Sequence, residues 1–175
     1  MKFIHEFFLL LTNFLILFCC FSCNESTAKN PFKQYQKMNI TLPTGEQTRT
    51  YLALDDKQQK LGLSRVKKDE FGDSDAMLFP NYSYELRQFW MPETHFNLDI
   101  FFLSHDLKVL DIHRNMPHYT KSEPKSMIPM SKISYCQHVL EIKSSSPISR
   151  RVKIGMTLKS SWSPEKIISS IRLKR

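Results

Sequence analysis

The sequence predicts a mainly β fold: a compact antiparallel β-sandwich or barrel-like domain with one short helix and a C-terminal amphipathic helix. Three observations predict it. Short apolar runs, alternating or continuous, recur between turn residues, as in "YQKMNITL", "AMLFP" and "LDIFFL". No strand–helix–strand rhythm runs through the chain, which argues against a parallel α/β sheet. With 41% hydrophobic residues, 13 Phe and four Gly, the chain can build a modest core, and its glycine content argues against a phosphate-cradling loop. Its 175 residues fit one domain with appendages.

In chain order, residues 1–22 read as a lipoprotein-type signal peptide. Lys2 precedes a run, apolar from Phe7 to Phe21 apart from Thr12 and Asn13, that suits a signal better than a membrane span of ~20 residues. Ser22 supplies a small residue before Cys23, the expected acylated cysteine; Cys20 is the alternative, and an ordinary secretory signal or an uncleaved anchor are the simpler readings. The expected location is the bacterial cell envelope, on the membrane that holds the lipid. Residues 23–35 then read as a tether and residues 36–160 as the β domain.

Within that domain, "YQKMNITL" and "QTRTYLAL" flank the turn "PTGE" and predict a hairpin. Asp55 as cap, Gln58 three residues later and Gly62 as stop predict a short helix. "AMLFP", "RQFWM", "LDIFFL" and "KVLDIH" read as strands, and three prolines make 114–134 an irregular loop. "YCQHVLEIK" reads as one strand with Cys136, His138, Leu140 and Ile142 on one face; "RVKIGMTL" reads as a last short strand. With cleavage at Cys23, Cys136 is the one thiol left, and its reading is a small buried hydrophobe.

Residues 161–175 read as a basic C-terminal helix: Ser163 caps it, Pro164 takes the first turn, and Ile167, Ile168, Ile171 and Leu173 form an apolar stripe. The net charge of +8 is carried by residues 143–175. Residues 24–142 carry 15 Lys/Arg against 15 Asp/Glu, whereas residues 143–175 carry nine against Glu165. The stripe is expected to dock on the domain; an anionic membrane surface is the other partner such a helix suits. Nucleic acid is not an expected partner, since export and a tail with Trp162 as its one aromatic residue argue against it.

One stretch carries a resemblance. "FWMPETHFNLDIFFL" resembles the signature of the domain of unknown function 192 (DUF192) family, close to Trp-Met-x-x-Thr-x-x-Pro-Leu-Asp-Ile-x-Phe. Trp90, Met91, Thr94, Leu98, Asp99, Ile100 and Phe102 match, and Asn97 stands for the proline. Leu61-Gly62-Leu63-Ser64-Arg65, Met77-Leu78-Phe79, Val139-Leu140-Glu141 and Ile154-Gly155 resemble further landmarks in order, over residues 38–158. The resemblance implies a compact, mostly β domain, common in exported or anchored bacterial proteins. It implies no established activity.

Asp99 shares a strand face with Phe101 and Leu103, so its carboxylate needs partners. Thr94 and Asp99 are expected to bind the backbone of the "PETH" bend, with Arg65 within reach of Asp99. Arg65, Trp90, Thr94, Asp99 and Glu141 thus form the candidate polar cluster, structural or functional. No catalytic residue is assigned and no cofactor is expected. Neither G-x-S-x-G nor H-E-x-x-H occurs, and C-x-x-C occurs only within the signal. Two alternatives stand beside the main reading of a lipid-anchored accessory or binding module for an unidentified protein or small molecule. One is an envelope copper site of His113, Met116, His118, Met127 and Met130, whose imidazoles and thioethers suit Cu(I). The other is a small hydrolase using Asp99 and Glu141.

Overall fold

The computed structural model describes residues 30–119 and 124–172. The compact unit that holds the described strands starts at Pro31. The expected signal, Cys23 and most of the expected tether lie outside the described residues. That tether ends early: Phe32 is buried and stacks on Tyr51 with ring centroids 4.1 Å apart, which draws the chain into the domain there.

The strands are β1 (Gln36–Thr41), β2 (Gln47–Leu52), β3 (Asp75–Phe79), β4 (Glu85–Arg87), β5 (Leu98–Leu103), β6 (Val109–Met116), β7 (Ser134–Cys136), β8 (His138–Lys143) and β9 (Lys159–Ser160). The helices are α1 (Asp56–Leu61), α2 (Pro147–Arg151) and α3 (Pro164–Ser169). Seven strands form one curled sheet in the order β6-β5-β8-β3-β2-β1-β9, while β4 and β7 make a separate ribbon. The fold is mainly β and barrel-like, as the sequence predicts. It departs from a purely antiparallel plan at one pair: β2 and β3 run parallel, because the connection between them carries α1 across the sheet.

Local chemistry sets the first elements. The β1–β2 turn closes with Leu42 N–H on Glu46 O at 2.8 Å. Asp55 accepts from Gln58 N–H at 2.8 Å, and the Gln58 side chain accepts from Leu54 N–H at 2.8 Å, which caps α1 from both directions. Gly62 ends the helix at φ 50°, where a Cβ would meet the Phe79 ring at 3.2 Å.

Strands β3, β5 and β8 are buried along their whole length, so the sheet has a core on each face. One core gathers Met77, Phe79, Ile100, Phe102 and Val139 under Leu63, Phe71, Met91 and Phe96. The other gathers Leu78, Phe101, Leu140 and Ile142 with Val152, Leu158 and Ile167.

Three strand assignments differ from the sequence reading. "RQFWM" is a strand only as far as Arg87. Beyond it Phe89 N–H turns to the Ser131 hydroxyl, and Trp90 makes one bridge to Met130. "YCQHVLEIK" breaks at Gln137, whose N–H bonds Leu103 O and whose side chain bonds Asn81 O and Tyr82 O. The break sends Cys136 into the first core, away from Leu140 and Ile142 in the second. "RVKIGMTL" is not a strand: Ser146 and Pro147 start α2, Gly155 turns the chain at φ 88°, Thr157 makes one bridge to Lys108, and a strand resumes at Lys159.

The C-terminal helix is shorter than expected and stops at Ser169. Its Ser163 cap and Pro164 are as the sequence predicts, and Ile167 is fully buried in the second core. Past it, Arg172 N–H bonds Leu54 O at 2.6 Å and the Tyr82 hydroxyl bonds Ile171 O at 2.9 Å. These outside partners compete with helical hydrogen bonding and end the element. Leu173 lies outside the described residues. No helix among the described residues is long and apolar enough to cross a membrane.

Candidate functional site

Glu141 lies in the middle of β8, opposite Met77 on β3 and Ile100 on β5. The strand period therefore turns its side chain into the first core. It is 4% exposed, and its carboxyl group accepts no hydrogen bond and pairs with no cation among the described residues. Burial lifts its pKa to about 8, and the nearby Arg87 guanidinium offsets this only in part. Such a group is costly to hold unless something meets it.

A narrow slot of about 30 Å³ leads to it. One wall is the end of α1 and the turn after it, Leu61 to Ser64; the other is the 89–94 segment with Trp90 and Thr94. Phe79 and Leu98 complete the lining beside Glu141. Trp90 is 57% exposed and Leu61 41%, so these two side chains mark the mouth.

The two walls are clamped together. Arg65 N–H bonds Glu93 O at 2.8 Å, and the two side chains form an ion pair. Both residues hold positive φ, 65° and 51°, a backbone state that persists when its surroundings over-determine it. Thr94 is buried and bridges Tyr119, and its hydroxyl sits 3.5 Å from Pro92 O. Arg87 closes the rear: it bonds Phe79 O at 2.8 Å and Gln59 Oε1 at 3.2 Å and lies over the Phe89 ring.

The candidate cluster is thus divided. Arg65, Trp90, Thr94 and Glu141 surround the slot or its clamp. Asp99 does not, and Arg65 does not reach it. Asp99 points to the opposite sheet face, because β5 pairs with β8 in the register Asp99↔Ile142 and Ile100↔Glu141. Its true cation is Arg114, at 2.7 Å. A bulge in β6 at Asn115, φ 51°, offsets Arg114 toward it. Asn115 N–H, Ser144 and Ser149 add hydrogen bonds of 2.7, 2.8 and 2.6 Å. Burial pushes the Asp99 carboxyl up, but the bonds from Asn115, Ser149, Arg114 and Ser144 outweigh it and hold the group below the usual carboxylate range. Arg114 also bonds Ser149 O, so the cluster ties β5 and β6 to α2.

This arrangement overturns the hydrolase pair. Two carboxylates on opposite faces of one sheet cannot flank one scissile bond. The copper set is likewise not assembled as an open ligand group. Met116 is buried in the first core, whereas Met127 and Met130 are exposed. His113 Nδ1 accepts from Lys132 N–H at 3.0 Å, and His118 Nδ1 lies 2.8 Å from Asn97 Oδ1. Cys136 is buried as read, with burial pushing its thiol up to about 11.

Sequence reasoning missed Arg87, Gln59 and Phe89 as parts of the site. Arg87 carries one legible signal, a cation two residues before Phe89 in an apolar run.

The family profile described as DUF192, an uncharacterized ACR, matches residues 39–160. Two solved structures share the fold. One, from Sinorhizobium meliloti 1021 and named only as a candidate transcription regulator, is 23% identical, with a TM-score of 0.59 over 73% of this chain and 95% of that one. The other, a protein of unknown function from Novosphingobium aromaticivorans DSM 12444, is 28% identical, with a TM-score of 0.55 over 73% and 85%. No curated protein sequence matches the chain.

Proposed function

The chain belongs to the DUF192 family, and from that premise we propose that it is a binding module of the bacterial cell envelope, held to a membrane by a lipid on Cys23, whose site is the slot over Glu141. One observation carries the binding reading: a carboxyl group buried in the wall of a narrow slot without a hydrogen-bond or ion-pair partner among the described residues. Buried polar groups in folded proteins are paired, and an exception calls for a ligand or a task. The family's landmarks support the same place. Leu61 to Ser64, Phe79, Trp90, Met91, Thr94 and Glu141 are far apart in sequence and line one slot.

A fragment screen on the full-length chain in detergent, read on the Trp90 indole N–H resonance, is expected to yield hits that disappear in Glu141→Leu. Hits that leave Trp90 unmoved, or that persist in Glu141→Leu, place the binding elsewhere and defeat the reading.

The anchor rests on Ser22-Cys23 after the apolar run. Cys23→Ala is expected to abolish acylation and to move the protein out of the membrane fraction or block its processing. Normal processing with retention on membranes, together with release of Cys20→Ala, would move the anchor to Cys20. The basic residues after Lys143 supply a second hold, on anionic head groups at ~1 kcal/mol each. That hold is electrostatic, because Ile167 is already committed to the core.

A further inference from the structure

We propose that the slot receives a primary ammonium group, the tip of a slender alkylamine such as a lysine side chain, with Glu141 as its carboxylate partner and Phe79 and Trp90 in its wall. This rests on the slot being the binding site. Three features of the slot select the ligand.

The first is charge. A carboxylate out of water needs a cation or several donors, and the described residues give Glu141 neither a hydrogen bond nor an ion pair. Arg87, the charged group behind it on β4, has its N–H groups committed to Phe79 O, Gln137 O and Gln59 Oε1. Lys60, on α1, is the other charged residue in the lining. A metal ion is a poor occupant. Glu141 is the slot's one carboxylate, and no cluster of three or more His, Cys, Asp or Glu able to hold a metal occurs among the described residues.

The second is the aromatic lining. Phe79, Phe89 and Trp90 line the slot beside the carboxyl, and aromatic faces attract cations in desolvated sites. Arg87 already occupies the Phe89 face at 5.1 Å, which leaves Phe79 and Trp90 to the ligand.

The third is size. The slot leaves about 30 Å³ for the centre of a water-sized group, so a slender head enters more readily than a bulky one. A primary ammonium also has three N–H groups to donate to the carboxylate, whereas a trimethylammonium head has none. The ligand's remaining alkyl chain would leave past Leu61 and Trp90.

Binding replaces the proton on Glu141 with the ammonium, so the carboxyl proton passes to solvent as the ion pair forms. With the pKa at about 8, the carboxylate fraction is about 1% at pH 6 and about 90% at pH 9. The amine itself stays charged over that range, since an alkylammonium titrates near ~10.4.

The test is calorimetric titration of the full-length chain in detergent with n-butylammonium, n-butyramide and n-butyltrimethylammonium, at pH 6 and pH 9, in two buffers of different ionisation enthalpy. Butylammonium is expected to bind about ninetyfold more tightly at pH 9 than at pH 6. Below pH 8 it should release a proton, and binding should be lost in Glu141→Gln. The trimethyl compound is expected not to bind. Equal affinity at both pH values, or equal binding of the trimethyl compound or by Glu141→Gln, overturns the proposal. Butyramide bound in a Glu141-dependent way without butylammonium also overturns it, while leaving the slot as a binding site. Failure of all three probes, joined to a fragment screen without Trp90 hits, removes the slot reading as well.

Discussion

Glu141→Gln is expected to make the protein more stable at pH 9 and to remove a fall in stability that the native chain shows between pH 5 and pH 8. The carboxyl titrates at the ordinary value of 4.5 in the unfolded chain and at about 8 in the folded one. Between those values the folded state holds more protons than the unfolded state, so raising the pH favours unfolding. The loss begins as pH passes the unfolded value and is complete above the folded value. Burial is the cause, and its full size is roughly 3–5 kcal/mol. A glutamine removes the charge but leaves an amide to be satisfied, which returns about 1–3 kcal/mol of cost. The net expectation is a melting temperature higher by roughly 5 °C at pH 9 and unchanged or slightly lower at pH 5. Melting curves of the two full-length proteins from pH 5 to pH 9 decide it. Parallel curves would mean that Glu141 is solvated or paired.

Asp99→Ala should act in the opposite direction and more strongly. It removes the carboxylate from the Arg114 guanidinium, which keeps its bonds to Ser149 O and Val152 O, and strands the buried Ser149 hydroxyl, the Ser144 hydroxyl and the Asn115 N–H at once. Leaving buried donors unsatisfied costs about 1–3 kcal/mol each, so losing these bonds together costs roughly 3–5 kcal/mol. The expected loss is on the order of 10 °C in melting temperature at pH 7. Because the folded carboxyl titrates below its usual value, its contribution is present above the unfolded value of 3.8 and fades as pH falls through the folded one. The variant should therefore converge on the native protein in acid, and Arg114→Ala should reproduce most of the loss at pH 7. A melting temperature unchanged at pH 7 would show that the cluster holds nothing together.

Glu141 and Asp99 separate two kinds of information. Local chemistry is legible along the chain: the Asp55 cap, the Gly62 stop and the Ser163-Pro164 start are short-range effects, and each stands where the residues place it. The β class follows from alternation and turns, and the family from landmarks spread across the domain. That Asp99 needs partners also follows from its neighbours Phe101 and Leu103. Its actual partner does not, because Arg114 reaches it only through a bulge in a paired strand. Gln137 broke the run at 135–143 through contacts with Leu103, Asn81 and Tyr82, none of them close in sequence.

The chain by itself determined which residues alternate on each strand, because a period of two is a property of one strand. Only the tertiary structure decided whether Asp99 and Glu141 share a face. That depends on the register of β5 against β8, and a shift of one residue would have put both carboxylates on the same side.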